Sequence, residues 1–181
     1  MYERAQKLRE ELVSLRRTIH RQPELSFQEH RTGELVARHL AELGIAVRSG
    51  VARTGVVGDL VGREGPAIAL RADMDALPIQ EEADAEEVPY RSTVPGVMHA
   101  CGHDGHVANL VGTAMVLSGM ADALPGRVVF IFQPDEEDGG AARTLCERGL
   151  FDLTKIDAIV GLHGWPQRPV GTVSLRYGPA M

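Results

Sequence analysis

Three histidines and one cysteine lie within the eight residues from His99 to His106, in a chain that has seven histidines in all. Imidazole and thiolate groups together are the ligands that zinc and other borderline-soft cations prefer. Gly102 and Gly105 interrupt the run and would let the backbone turn tightly around an ion. The alternative is a polar loop before a helix, whose histidines make ordinary hydrogen bonds. The density of this octet favours a metal site.

An acidic run, Asp135–Asp138, is the second candidate, and Gly139 and Gly140 follow it directly. Four consecutive acidic residues usually form a solvated turn. This run, however, comes directly after an apolar segment that is typical of a buried strand, so its carboxylates would lie at a strand end. At such a place one carboxylate could bind a cation while its neighbour acts as a general base.

His163, Asp73 and Asp75 form a third group, because each comes at or just after the end of an apolar segment. A single histidine after a strand is more often structural than a ligand. The case for His163 as a metal ligand is stronger because it would share one edge of a sheet with the octet and the acidic run. The two aspartates could orient ligands through hydrogen bonds.

The remaining histidines and the second cysteine are not expected to take part in chemistry. His20, His30 and His39 fall on helical or loop positions without evident partners, which indicates surface or structural roles. Cys146 lies among leucines in a helix-like stretch and is predicted to be a packed thiol.

The elements that must position these candidates alternate between helices and apolar strands. Leucine and isoleucine spacing predicts a first helix over residues 8–19 that ends near Pro23. Ser26 and Glu29 have the form of a capping box and predict a second helix that ends at Gly44. Further helices are expected near residues 105–122 and 140–148. Strands are predicted at Ile45–Arg48, Gly55–Val61, Ala67–Ala72, Arg127–Phe132, Ala158–Leu162 and Thr172–Tyr177.

Continuous apolar strands that alternate with helices predict an α/β fold with a mostly parallel sheet flanked by helices on both faces. In such sheets, functional groups gather beyond the carboxyl ends of the strands. The three groups of candidate residues fit that edge.

Composition excludes several classes of partner. The net charge of the 181 residues is −6 and basic residues form no block, which argues against nucleic acid. The longest uncharged stretch, residues 105–121, is shorter than a membrane span and contains polar residues. The first residues resemble no secretory signal, and two cysteines are too few for a disulfide framework. We therefore expect a single-domain, cytoplasmic protein.

Sequence motifs of other enzymes are lacking. No glycine-rich nucleotide loop and no Gly-x-Ser-x-Gly turn occurs, so nucleotide binding and serine hydrolysis have little support. A cysteine hydrolase is a rival hypothesis, in which His103 or His163 would activate Cys101 as the nucleophile. That hypothesis does not explain why carboxylates gather at the same edge, whereas a metal site does.

Six segments of the chain closely resemble one family, the aminoacylase/carboxypeptidase group of binuclear metallohydrolases, in the branch of hippurate hydrolases and auxin-conjugate amidohydrolases. They occur in the family's order and cover nearly the whole chain. The segments are RTIHRQPELSF (17–27), LRADMDALP (70–78), HACGHDGH (99–106), FQPDEE (132–137), LHGWP (162–166) and VGTVSLRYGPAM (170–181).

The resemblance implies a zinc-exopeptidase-like catalytic domain with two divalent metal ions, zinc or manganese, in its active site. Glu136 would be the general base. Asp75 matches an orienting carboxylate, and Asp73 stands where other relatives place a ligand histidine. The metal ligands implied by the resemblance are Cys101, His103, Glu137 and His163.

The implied reaction is hydrolysis of the amide bond of a small N-acyl amino acid. Relatives are about twice as long and continue into a lid domain that also forms homodimers, then into the remainder of the catalytic domain. Residues 1–181 are therefore expected to be the N-terminal part of an incomplete catalytic domain. We expect the isolated chain to be inactive or nearly so, and the alternative to an enzyme is a truncated fragment that binds metal without catalysis.

Overall fold

The structure is a computed structural model that describes residues 1–147 and 155–175. Three helices are followed by three strands, and helices and strands alternate after them. The helices are α1 (Tyr2–Lys7), α2 (Arg9–Arg21), α3 (His30–Glu42), α4 (His103–Ser118) and α5 (Ala141–Glu147), with a short 3-10 helix at Ala121–Ala123. The strands are β1 (Ala46–Val51), β2 (Gly55–Val61), β3 (Ala67–Asp73), β4 (Arg127–Gln133) and β5 (Ala158–Gly161).

The five described strands form one sheet in the order β1-β2-β4-β3-β5. Strand β3 pairs in parallel with both β4 and β5, whereas β2 pairs antiparallel with β1 and β4. Four of these five strands therefore run in the same direction, and only β2 runs in the opposite one. The predicted α/β fold with a mostly parallel sheet flanked by helices is confirmed.

Strand β4 explains why helices cover both faces of the sheet. Its residues Val128–Phe132 are all apolar, and successive side chains of a strand point to opposite faces. Phe130 and Phe132 pack into a core with residues of α2, α3 and α4. Val129 and Ile131 pack on the other face, against a smaller core that includes residues of α5.

Helix α4 carries part of the octet into this core. Most residues of α4 are buried, and they lie on more than one face of the helix, which is typical of a helix inside a domain. The helix begins at His103, because Gly102 has a φ of +84° and makes the turn that joins Cys101 to it. No helix among the described residues is long and apolar enough to span a lipid bilayer.

Two local predictions are wrong. Helix α3 begins at His30 without a side-chain cap, because both residues of the expected capping box have distant partners. The Ser26 hydroxyl donates to Asp75, and the buried Glu29 accepts hydrogen bonds from Thr54 and from the Asp135 backbone. The predicted strand Thr172–Tyr177 is not formed over residues 172–175, and its last two residues lie outside the described chain.

Candidate metal centre

The carboxyl ends of β3, β4 and β5 bring the three groups of candidate residues together. Asp73 ends β3 and is in register with Gln133 at the end of β4, so the acidic run begins two residues beyond the same edge. His163 follows β5, which pairs with β3 on the other side. His103 joins them from the N-terminus of α4.

Cys101, His103 and Glu137 form a cluster with the donor set of a metal site. Each offers one ligand atom, and these atoms all lie within 4.8 Å of one another. Nε2 of His103 is 3.7 Å from a carboxylate oxygen of Glu137. His103 is fully buried, whereas Cys101 is partly buried and Glu137 is exposed, so the cluster is open to solvent on one side.

His103 is oriented as a metal-ligating histidine would be. Its Nδ1 donates to the backbone carbonyl of Asp75 at 2.9 Å and lies 3.3 Å from the Asp75 carboxylate. Its Nε2 is buried, and none of the described residues hydrogen-bonds it. A buried nitrogen without a partner is costly, and ligation of a cation would satisfy it. The residues present therefore fit a metal ion.

Asp75 is held as a carboxylate behind His103. It accepts hydrogen bonds from the Ser26 hydroxyl at 2.9 Å and from the Glu137 backbone at 3.0 Å. Burial alone would raise the pKa of Asp75, but the nearby His103 ring and hydrogen bonds from the backbone outweigh it and lower the pKa to about 2. A negative charge behind the ring stabilises the Nδ1–H tautomer and leaves Nε2 free.

The environment of Cys101 disfavours the rival hypothesis of a cysteine nucleophile. Burial and the neighbouring Glu137 raise the pKa of the thiol to about 12. A nucleophilic cysteine needs a lowered pKa and electropositive surroundings, whereas Cys101 faces carboxylates. The same surroundings suit a thiol that ionises only when a cation is bound beside it.

His163 lies beside this cluster at the surface. Its Nε2 is 3.5 Å from the Cys101 sulfur, while its Nδ1 donates to the Gly164 carbonyl at 2.7 Å. His163 also shares a second group of potential ligand atoms within 4.8 Å, formed with Asp73, His103 and His106. The four residues predicted as ligands thus lie in one neighbourhood, and their ligation of metal stays a prediction.

Glu136, the predicted general base, lies at the open side of the cluster. Its side chain is 39% exposed, and one carboxylate oxygen is 4.0 Å from Nε2 of His103. A carboxylate at that place reaches both solvent and the edge of the metal cluster. Its role as the base stays a prediction.

Three expectations about the other histidines and the second cysteine need correction. His20 does have partners, since it is buried between Asp104 and Glu81. His99 belongs to the octet but is not in either group of potential ligands among the described residues. Cys146 is exposed and not a packed thiol. The partners of His20 lie 84 and 61 positions away, so no local pattern reveals them.

A comparison with known protein families identifies the family of the chain. The sequence model of peptidase family M20/M25/M40 matches residues 69–178, which is more than half of the chain. The chain belongs to this family. The resemblance inferred from the sequence motifs is therefore confirmed.

Relatives within the M20/M25/M40 family include amidohydrolases and metal-binding peptidases. The chain is 47% identical over 175 residues to N-acetyl-L-cysteine deacetylase of Bacillus subtilis, covering 96% of the chain and 41% of that enzyme. It is 45% identical over 170 residues to IAA-amino acid hydrolase ILR1-like 4 of Arabidopsis thaliana, covering 94% of the chain and 38% of that enzyme.

The fold of this family member matches a solved structure closely. The crystal structure of the Bacillus subtilis YXEP protein, a dinuclear metal-binding peptidase of the M20 family, superposes with a TM-score of 0.89 at 45% identity. The match covers 96% of this chain and 48% of that one. The chain thus spans about two fifths to one half of the length of these relatives.

Proposed function

We propose that this chain contributes the metal-binding and general-base residues of an amidohydrolase that cleaves small N-acyl amino acids. The observation that carries the proposal is the buried, unpartnered Nε2 of His103 beside the Cys101 thiol and the Glu137 carboxylate. The family membership and the names of the relatives support a hydrolase.

The residues proposed to hold two divalent metal ions, zinc or manganese, are Cys101, His103, Glu137 and His163. The thiolate favours a softer ion such as zinc, while the surrounding carboxylates would also suit manganese. When bound, such ions lower the pKa of a water molecule and polarise an acyl carbonyl.

Glu136 is proposed to move the proton in this reaction. Its partly exposed carboxylate lies at the edge of the metal cluster, where it can accept a proton from the attacking water. The same carboxylic acid can then donate that proton to the departing amine, so that one residue serves both steps. Asp75 keeps His103 in the tautomer that leaves Nε2 available.

The proposed substrate class follows from two relatives whose names give different substrates. One acts on N-acetyl-L-cysteine and the other on amino-acid conjugates of IAA, by their names. The first name describes an amino acid joined to an acyl group through an amide bond, and the second describes an amino acid joined to IAA. We propose the same bond as the target of the protein that contains this chain.

A chimeric enzyme tests this function in a complete catalytic domain. In the chimera, this chain would replace the segment of the Bacillus subtilis N-acetyl-L-cysteine deacetylase that it matches. The two sequences are 47% identical over that segment. We expect the chimera to release cysteine from N-acetyl-L-cysteine. The variant Glu136→Gln should keep its metal content and lose turnover, whereas the matched control Asp138→Asn, two residues away and exposed, should keep both. Turnover by Glu136→Gln would refute the proposed base.

The 181-residue chain alone is proposed to bind metal and to turn over little. His163 is exposed, and the strand that positions it has its apolar residues Ile159 and Val160 half exposed. An edge strand covered so little opens more readily than the interior of the sheet, so the complete site would be formed only part of the time. Turnover by the purified chain equal to that of the chimera would contradict this proposal.

A further inference from the structure

His106 links the end of β3 to the segment that follows β5. Its Nδ1 lies 2.6 Å from Oδ1 of Asp73, and its Nε2 lies 2.8 Å from the backbone nitrogen of Gly164. We infer that the Asp73–His106 pair is a positioning device that fixes His163 for metal binding through the Gly164 peptide. This inference rests on the metal site of the proposed function.

The hydrogen bonds settle which nitrogen of His106 carries the proton. A backbone N–H can only donate, so Nε2 accepts from Gly164 and carries no hydrogen. Nδ1 must then be the protonated nitrogen, and it donates to the Asp73 carboxylate. Both ring nitrogens are used, so His106 has none left for a cation, although it lies among the potential ligand atoms around His163.

Asp73 is itself anchored across two strands. Arg71 donates from Nη1 to the other carboxylate oxygen of Asp73 at 2.7 Å and from Nε to the Gln133 side chain at 3.0 Å. Asp73 and His106 are both buried, with 1% and 8% exposure. The pair therefore forms a rigid support on β3, β4 and α4.

Gly164 connects the Asp73–His106 pair to His163 through two hydrogen bonds. Its N–H is held by His106, and its carbonyl accepts the hydrogen bond from Nδ1 of His163 at 2.7 Å. That bond makes Nδ1 the protonated nitrogen of His163, and the unprotonated Nε2 faces the Cys101 sulfur at 3.5 Å. Because His163 is exposed and its ring contacts those of His106 and Trp165 at centroid distances of 4.5 and 6.4 Å, a fixed peptide beside it restricts the ring further.

Two substitutions of His106 each keep one of its two hydrogen bonds and remove the other. Glutamine places an amide oxygen near the position of Nε2 and can still accept from Gly164. Asparagine places an amide nitrogen near the position of Nδ1 and can donate to Asp73, but it is too short to reach Gly164. His30→Asn, at an exposed position of α3, is the matched control.

The experiment measures the zinc affinity of the 181-residue chain by competition with a chelator, for the wild type and the three variants. We expect His106→Asn to lose about 10- to 100-fold in affinity, as outer hydrogen-bond partners of metal ligands typically do. His106→Gln keeps the Gly164 bond without the Asp73 bond and should recover part of that loss, and His30→Asn should match the wild type. Nitrogen-15 NMR of the metal-free wild type should show His106 protonated at Nδ1.

Wild-type affinity in His106→Asn, or an equal loss in His106→Gln and His106→Asn, would overturn the inference. So would NMR signals of a His106 ring protonated at Nε2, a result that does not depend on how the variants fold. A wild-type chain that binds no zinc would instead contradict the proposed metal site. The NMR measurement would then still test the two hydrogen bonds of His106.

Discussion

Replacing His20 by alanine tests a buried charge network that lies behind the metal cluster. His20 contacts Asp104 through Nδ1 at 2.9 Å and Glu81 through Nε2 at 3.2 Å. The three residues are 5%, 0% and 8% exposed. Donation to two carboxylates requires a doubly protonated ring, and the hydrogen bond to Asp104, against the opposing effect of burial, raises the pKa of His20 above its usual 6.5.

The expected loss of stability is large because two buried carboxylates lose their shared partner. Removal of one member of a buried ion pair costs about 3–5 kcal/mol. Asp104 keeps a hydrogen bond from Arg16 at 2.9 Å, so we expect His20→Ala to fall near the lower end, about 3 kcal/mol. For a chain of this size, that corresponds to a decrease in Tm of roughly 6–12 °C.

Urea unfolding followed by circular dichroism measures this loss, with His30→Ala as the exposed control. The single tryptophan, Trp165, is 64% exposed and would be a weak fluorescence probe. Because the pKa of His20 is higher in the folded state, its contribution is complete below the unfolded pKa of 6.5 and disappears as pH rises through the folded pKa. The difference between wild type and variant should therefore shrink as the pH rises above about 6.5 and through the raised pKa of His20. A loss below about 1 kcal/mol, or one that grows with pH, would refute the charged network.

Two further predictions concern the metal site and the core. Asp75→Asn should lower zinc affinity by about 10- to 100-fold, because the neutral amide no longer stabilises the His103 tautomer; unchanged affinity in chelator competition would contradict this. Phe130→Ala should lower the free energy of unfolding by about 3–5 kcal/mol, because the side chain is fully buried. Val61→Ala, at a position that is 69% exposed, should change the free energy of unfolding by less than about 0.5 kcal/mol. Equal losses for Phe130→Ala and Val61→Ala in urea unfolding would contradict the described core.

The edge of the sheet that carries the site could be predicted from the sequence. Apolar strands with helices between them predict a parallel sheet, and parallel strands place their carboxyl ends together. That rule alone brings Asp73, the acidic run and His163 to one edge, where the structure places them. The identity of Glu136 as the base came from resemblance and not from spacing.

The contacts that orient the site could not be predicted in this way. Ser26 and Glu29 have the spacing of a helix cap, but their side chains bond residues 49 and 106 positions away. His106 and His20 likewise find partners 33 and 84 positions away. Local patterns describe neighbours along one element, whereas these hydrogen bonds depend on how the elements pack.

Cobalt titration of the 181-residue chain tests the central claim most directly, because a cysteine ligand gives a thiolate-to-cobalt charge-transfer absorption band. The chain has two cysteines, and the structure places only Cys101 beside His103 and Glu137, while Cys146 is exposed. We predict a band that saturates in the wild type, persists in Cys146→Ser and disappears in Cys101→Ser. A wild-type chain without the band, or a band that survives Cys101→Ser, would contradict a metal centre at this edge of the sheet.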